Sequence, residues 1–173
     1  MRKTILRALS ALVSFGAVSN PSQAGDTLIR EPEFHLTLPG QWSGGYDVSS
    51  HAWTYINASR KESVTVGILE RTADASPSEV RTDFDDYLRV RREQEQRVGG
   101  SKLVLSKPST AVVRDAVTAK YDGYDSSNGR RTYTRVIVNG KVAASFYYEA
   151  WDLSEREFTN RAVEILGKVG LVH

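Results

Sequence analysis

The stretch FHLTLPGQW, residues 34–42, says more about the fold than any other part of this sequence. Phe34, Leu36 and Leu38 alternate with polar residues, which is the pattern of a strand that buries one face. The Pro-Gly pair that follows ends the strand, because proline has no N–H for the ladder and glycine tolerates a turn. Trp42 comes directly afterwards. We expect it to close a corner of the core, over the edge of the layer formed by the first helix; the alternative is an aromatic platform for a ligand.

Residues 1–24 have the composition of a targeting segment. Basic side chains lie near its start, a mostly apolar stretch follows at 8–18, and Ser-Gln-Ala at 22–24 supplies the small residues that signal peptidase requires. The apolar stretch is too short to span a bilayer. We therefore predict export with cleavage after Ala24, the alternative being a buried N-terminal helix.

Charge and cysteine content limit the functions open to the remaining chain. The formal charge of +2 includes the cations Arg2, Lys3 and Arg7 and no acid from the first 24 residues, so removing that segment leaves −1. A basic field suited to nucleic acid is therefore not expected. The sequence has no cysteine for disulfides or lipid attachment. We predict a periplasmic protein without a membrane anchor, with release from the cell as the alternative.

Two helices are marked by capping signals. Ser76 precedes Pro77, and Glu79 completes a capping box at the start of a long amphipathic segment. The Gly-Gly pair at 99–100 ends this segment. A second box begins at Ser154 and predicts a C-terminal helix.

Alternating patterns predict six further strands, at 52–58, 63–70, 102–107, 111–124, 131–138 and 141–151. Asn139-Gly140, between the last two, is typical of a two-residue type I′ hairpin with positive φ at both positions. The resulting register pairs Val138 with Lys141, Tyr133 with Phe146 and Arg130 with Glu149. Apolar residues on both faces of the sheet require a cover on each side. The sequence therefore predicts one α+β domain, 25–173, built as a three-layer α/β/α sandwich with about six or seven mostly antiparallel strands.

This order of elements, together with the LPGQW segment, resembles the PsbP-like superfamily. Its members typically open with an F-x-hydrophobic-x-hydrophobic-P-x-x-W strand, which Phe34, Leu36, Leu38, Pro39 and Trp42 match. The group includes the extrinsic photosystem II protein PsbP, a Ran-binding nuclear import factor and bacterial DcrB-like proteins. The resemblance implies a non-enzymatic binding or adaptor scaffold.

A catalytic or zinc site has weak support in the sequence. The histidines, His35, His51 and His173, lack the spacing of zinc ligands, and no cysteine can assist them. Ser49, Ser50 and His51 could contribute to a hydrolase, but the Gly-x-Ser-x-Gly elbow that exposes a nucleophilic serine is missing. We expect no enzyme; a small Ser/His hydrolase remains an alternative.

Asp122, Asp125 and Asn128 could offer oxygen ligands to calcium. An EF-hand loop would use alternate positions and a distal glutamate, so we expect an ordinary hairpin loop. A metal or small-ligand carrier is the alternative, and no cofactor is predicted.

The candidate binding residues are Arg91 and Arg92, in the segment RVRREQEQR at 89–97, and Tyr147 and Trp151 on one face of the last strand. These residues are candidates because Arg and Tyr are common interface anchors. We expect the arginines to project from a solvated helix end. The predicted function is an exported binding or adaptor protein that acts through a protein–protein surface. An immunity protein against a toxin delivered to the periplasm is one such function.

Overall fold

A computed structural model describes residues 25–70, 74–167 and 169–171. The predicted targeting segment lies outside these residues. Within them the elements follow in the order β1 (Thr27–Arg30), β2 (Phe34–Leu38), β3 (Ser43–Asp47), β4 (Ala52–Asn57), β5 (Glu62–Glu70), α1 (Pro77–Gly99), a 3₁₀ turn (Gly100–Lys102), β6 (Leu103–Leu105), β7 (Ser109–Val113), β8 (Ala116–Asp125), β9 (Arg130–Val138), β10 (Val142–Ala150), α2 (Glu155–Leu166) and β11 (Gly170–Leu171).

The main sheet has eight strands, and the sequence predicts the fold class correctly. Its order is β3-β4-β5-β10-β9-β8-β6, with β7 also paired to β8. All of the pairings are antiparallel. Strand β2 pairs instead with β1 and β11 in a separate three-stranded sheet. The result is an α+β sandwich.

Each face of the main sheet has its own apolar cluster. On one face Val80 and Phe84 of α1 pack over Val117 and Val136. On the other face Phe158 of α2 belongs to a larger cluster that also contains residues of the small sheet. Full burial of one such side chain contributes about 1.5–3 kcal/mol.

Capping fixes the starts of both helices as predicted. The Ser76 hydroxyl accepts a hydrogen bond from the Glu79 N–H, and the Glu79 carboxylate accepts one from the Ser76 N–H. Ser154 and Glu157 form the same reciprocal pair at α2. These bonds satisfy N–H groups that have no partner inside the helix.

Trp42 lies at a corner, next to the Pro-Gly stop. Its indole Nε1 donates to the Pro39 carbonyl at 3.1 Å, and its backbone N–H donates to Thr27 Oγ1 at 3.2 Å. The ring packs against the α2-side cluster. The expectation that it would lie at the edge of the first helix is therefore wrong, because β2 belongs to the small sheet that shares the α2 side.

The predicted type I′ turn is also wrong. Val138 pairs with Ala143, so the register is displaced by two residues from the prediction. Gly140 does not have a positive φ. The buried Asn139 side chain holds the loop instead, because its Oδ1 accepts the N–H groups of Lys141 and Val142, each at 2.8 Å. A displacement of two leaves every side chain on its predicted face.

The predicted strand 111–124 is two strands. Its first part belongs to β7, which turns back at residues 114–115 and pairs with β8. Arg114 has φ 56°, a left-handed conformation that glycine or asparagine usually marks. The sequence gives no glycine at this point, and the hairpin was therefore missed.

Candidate functional site

Arg91 lies under α1, in contact with the sheet, and the expectation that it is solvated is wrong. Its side chain continues the inward face of Val80, Phe84 and Leu88, and only 8% of the residue is exposed. Its Nε donates to Glu95 Oε1 at 2.8 Å, one turn further along. The spacing 80, 84, 88, 91 and 95 is that of one helix face. This spacing points Arg91 toward the sheet, but its burial depends on partners that come from the strands; Val98, near the end of the helix, is exposed.

Glu95 is the centre of a buried polar cluster. Besides Arg91, the hydroxyls of Tyr121 and Thr134 donate to its Oε1, at 2.8 and 2.9 Å. These residues come from α1, β8 and β9, so one carboxylate joins the helix to two strands. Burial, and secondarily the charge of Glu95, raise the pKa of Tyr121. The phenol therefore stays a neutral hydrogen-bond donor.

The two arginines of the candidate site each cover a tyrosine ring. The Arg91 guanidinium lies 5.0 Å from the ring centre of Tyr147, and that of Arg92 lies 4.8 Å from Tyr121. Arg92 also donates to the Ser106 carbonyl at 2.9 Å. Cation–π contacts of this kind contribute about 0.5–2 kcal/mol each, more when desolvated. Of the predicted site residues, the structure therefore brings Arg91 and Tyr147 into contact, whereas Arg92 contacts Tyr121; both contacts lie between α1 and the sheet.

Trp151 takes no part in these contacts between α1 and the sheet. It follows the end of β10, and its backbone N–H donates to the Lys61 carbonyl at 3.3 Å. The residue is partly buried.

Glu149 extends the polar cluster along β10. It accepts hydrogen bonds from Ser63 at 2.8 Å and from the Tyr147 hydroxyl at 3.1 Å, and Arg130 lies 3.6 Å away. Burial, followed by the charge of Glu149, raises the pKa of Tyr147 well above its usual value. These contacts link strands β5, β9 and β10, and the acid, hydroxyl and guanidinium groups are bound to one another.

The serine–histidine candidate has the wrong contacts for a nucleophile. Ser49 and Ser50 both donate to Asp47, at 2.8 Å. His51 Nδ1 instead lies 3.3 Å from the hydroxyl of Tyr46. Hydrogen bonds from Ser49, followed by one from Ser50, lower the pKa of Asp47. The serines thus stabilise a turn carboxylate, whereas catalysis needs a serine paired with its base.

The calcium candidate is divided between the two faces of β8. Asp122 is exposed on one face, and Asp125, three residues later, points to the other. Asp125 accepts two hydrogen bonds from Ser127, which are the main cause of its lowered pKa. Asn128 Oδ1 accepts the Arg130 N–H at 3.0 Å. These oxygens close the loop.

Sequence reasoning missed an uncovered part of the main sheet on the α2 side. We call it the β8–β9 face; it is formed by Lys120, Asp122, Tyr124, Arg131, Tyr133 and Arg135. On β8, Lys120, Asp122 and Tyr124 are exposed. The reason is that α2 and the small sheet pack mainly over β4, β5, β9 and β10 and leave these three side chains uncovered. The signal was present in the sequence as the alternating polar positions 120, 122 and 124.

Tyr124 and Arg131 form a stacked pair at one end of this face. They are directly opposite each other in the register, and the guanidinium lies 4.5 Å from the ring centre. Tyr124 is 42% exposed. Arg131 Nε donates to the Leu153 carbonyl at 3.3 Å, which fixes the arginine over the ring. Tyr124 is more exposed than the aromatic residues of β10, Phe146, Tyr147 and Tyr148.

Two cations lie at the other end of this face, beyond the Asp122–Tyr133 pair. Lys120 is directly opposite Arg135 in the register, and Arg135 donates to the Leu166 carbonyl at 2.9 Å. Burial lowers the pKa of Arg135. Like charges directly opposite on neighbouring strands destabilise a sheet. Asp122 is the acid of this face, and Ser106 donates to it at 2.8 Å.

The antiparallel main sheet lies between a long helix, α1, and a shorter C-terminal helix, α2. This arrangement is the PsbP-like fold. The solution structure of cyanobacterial PsbP (CyanoP) from Synechocystis is similar at a TM-score of 0.61 and 12% identity, covering 91% of this chain and 98% of that one. A crystal structure from Bacteroides thetaiotaomicron matches at 0.51 and 11% identity, covering 87% of this chain and 50% of the other. The likeness shows the fold.

Yeast Mog1p, a Ran-binding protein, matches at a TM-score of 0.45 and 11% identity, over 81% of this chain and 84% of Mog1p. No protein-family model and no curated protein matches the sequence. Among the described residues, no helix is long and apolar enough to cross a membrane.

Proposed function

We propose that the protein is an exported, non-enzymatic binding protein that holds another protein through the β8–β9 face. The observation that carries the proposal is the exposed Tyr124 ring stacked with Arg131, at a point of strand β8 that neither of the two described helices covers. Tyrosine and arginine are enriched among residues that dominate binding energy. The Arg131 contacts also hold the pair in place before binding, which lowers the entropic cost of association.

The charges of this face favour an acidic partner. It carries three cations, Lys120, Arg131 and Arg135, and one acid, Asp122. An acidic side chain placed between Lys120 and Arg135 would relieve their mutual repulsion. Complementary charge at an interface increases the association rate and selects the partner.

The four candidate residues predicted from the sequence have different roles in this proposal. Arg91 and Tyr147 support α1 from within, so their replacement acts on folding before it acts on binding. Arg92 and Trp151 are only partly buried and remain candidate contacts. The absence of catalysis is part of the proposal and is supported by the serine contacts to Asp47.

The proposal also states where the protein acts and what kind of partner it binds. The pattern of residues 1–24 supports export to the periplasm, with secretion as the alternative. A toxin delivered to the periplasm would be a partner of the acidic kind if its contact surface is acidic, and the protein would then be an immunity protein. A toxin gene beside this one is the cheapest observation in favour of that assignment.

Site-specific photo-crosslinking tests the proposed surface. A photoreactive amino acid replaces Asp122 in the centre of the β8–β9 face, and a control protein carries it at the exposed Val163 of α2. Both proteins are exposed to periplasmic extract and irradiated. We expect one discrete crosslinked partner at position 122 and none at 163. Crosslinking to the same partner only at 163 would contradict the proposal.

A further inference from the structure

Strand β7 lies at the edge of the sheet and is exposed along its whole length. All of its residues, Ser109–Val113, are exposed, including Val112 at 68% and Val113 at 56%. Among the described strands it pairs with β8 alone. Apolar side chains of this size are an unusual choice for an edge strand that faces only water.

The hairpin geometry shows which backbone groups of β7 are free for pairing. Val113 and Ala116 flank the two-residue turn and are directly opposite each other. In an antiparallel hairpin such flanking residues exchange hydrogen bonds, and bonded pairs alternate with non-bonded ones. Ala111 is therefore bonded to β8 as well. The N–H and C=O groups of Thr110 and Val112 point away from the sheet.

Features that normally block an edge are missing from β7 itself. The strand reads STAVV, without charge, proline or an inserted residue, and its register with β8 is continuous over five pairs. Natural sheets usually protect edges with lysine, proline or a bulge. A sheet edge with free, evenly spaced N–H and C=O groups is the surface to which an extended peptide adds a strand.

We propose that β7 pairs with an extended, acidic segment of the partner protein, which adds a strand to the sheet. This inference rests on the proposed function and specifies the form of the partner. It also explains why the edge lies beside the β8–β9 face: Ser109 of β7 is opposite Lys120, so an added strand would pass close to that cation.

The added strand meets both a cation and exposed valines. On the side of Lys120, an acidic side chain next to Ser109 is the one that comes closest to that cation, which lies one strand beyond β7. Val113 lies on the same side and Val112 on the other, and both exposed valines favour apolar neighbours. The partner segment therefore combines acidic and apolar residues. A second copy of β7 does not fit, because STAVV supplies no acid.

The test uses the isotope-labelled chain without residues 1–24 and a synthetic peptide of alternating valine and glutamate, about six residues long, the usual strand length. A valine–lysine peptide of equal length is the control. We expect the valine–glutamate peptide to shift the amide resonances of Thr110 and Val112 and to slow their hydrogen exchange. The lysine peptide should bind at least about tenfold more weakly, a difference of about 1.4 kcal/mol.

Two variants separate backbone pairing from side-chain contact. Val112→Pro removes an N–H that the β8 ladder does not use, whereas Val112→Thr keeps it. With folding of both confirmed by circular dichroism, only the proline variant should lose the peptide-induced shifts. Equal binding of both peptides, shifts confined to other strands, or concentration-dependent self-association through β7 would each overturn the proposal.

Partner capture distinguishes this inference from the proposed function. If Val112→Pro leaves capture of the crosslinked partner unchanged while Lys120→Glu weakens it, strand addition is wrong and the β8–β9 face stands. If neither substitution affects capture, both are wrong.

Discussion

The guanidinium of Arg91 lies 5.0 Å from the centre of the Tyr147 ring. In the sequence these residues belong to two separate features, a basic helix end and a late aromatic strand. In the structure they form one buried contact that fixes α1 to the sheet, together with the Arg91–Glu95 bond. Residues that look like two interaction surfaces therefore stabilise the fold.

Replacing Arg91 should destabilise the protein strongly. Arg91→Glu leaves Glu95 without its cation and places a second carboxylate beside it. Breaking a buried ion pair in this way typically costs about 3–5 kcal/mol. Arg89→Glu is the matched control, because Arg89 is an exposed residue paired with Asp86 and Glu93. Its cost should be about 1 kcal/mol or less. Urea unfolding measures both, and equal losses would contradict the assignment.

Alkaline pH should destabilise the fold through its buried tyrosines. Burial raises the pKa of Tyr121 and Tyr147 above the value of about 10 for an unfolded chain. Their contribution to stability is fully present below pH 10 and is lost above it, because only the unfolded state then ionises. The melting temperature should begin to fall near pH 10, and the fall should be shallower in Tyr121→Phe. Tyrosinate absorbance that develops for these residues before unfolding would contradict this prediction.

The β9–β10 loop should depend on Asn139 more than on Gly140. Asn139→Ala removes the acceptor of two backbone N–H groups in a buried position, at a cost of about 1–3 kcal/mol. Gly140→Ala should change the stability by no more than about 1 kcal/mol, because φ is not positive there and the nearest atom to a Cβ, the Ala75 carbonyl oxygen, lies at 3.4 Å. Denaturant midpoints compare the two variants. A greater loss at Gly140 would restore the type I′ turn.

Local signals predicted most of the elements. Strand β2 has the predicted bounds, and both helices begin at the predicted capping boxes. These features depend on residues within a few positions of one another, where sterics and hydrogen bonding are fixed by the sequence itself.

The errors arise where distant residues decide. The loop at Asn139 is shaped partly by α1, since the Ala75 N–H donates to the Gly140 carbonyl at 3.0 Å. Arg91 is buried because Glu95 pairs with it, and the Glu95 carboxylate also accepts hydrogen bonds from Tyr121 and Thr134. These residues come from three elements, α1, β8 and β9. The exposed part of β8 depends on how far α2 reaches, which no single segment of sequence determines.

The central claim is that the β8–β9 face binds an acidic protein, and Lys120→Glu tests it most directly. This exposed substitution replaces a like-charge pair with an opposite-charge pair across from Arg135. The free energy of unfolding should stay equal or rise by about 0.2–1 kcal/mol. The affinity for the crosslinked partner should fall, on the order of a hundredfold, which corresponds to a few kcal/mol. Calorimetric titration of that partner with wild type, Lys120→Glu and the control Arg89→Glu measures the difference. Stability retained with affinity lost only in Lys120→Glu is the predicted result; unchanged affinity in a folded Lys120→Glu protein would contradict the account.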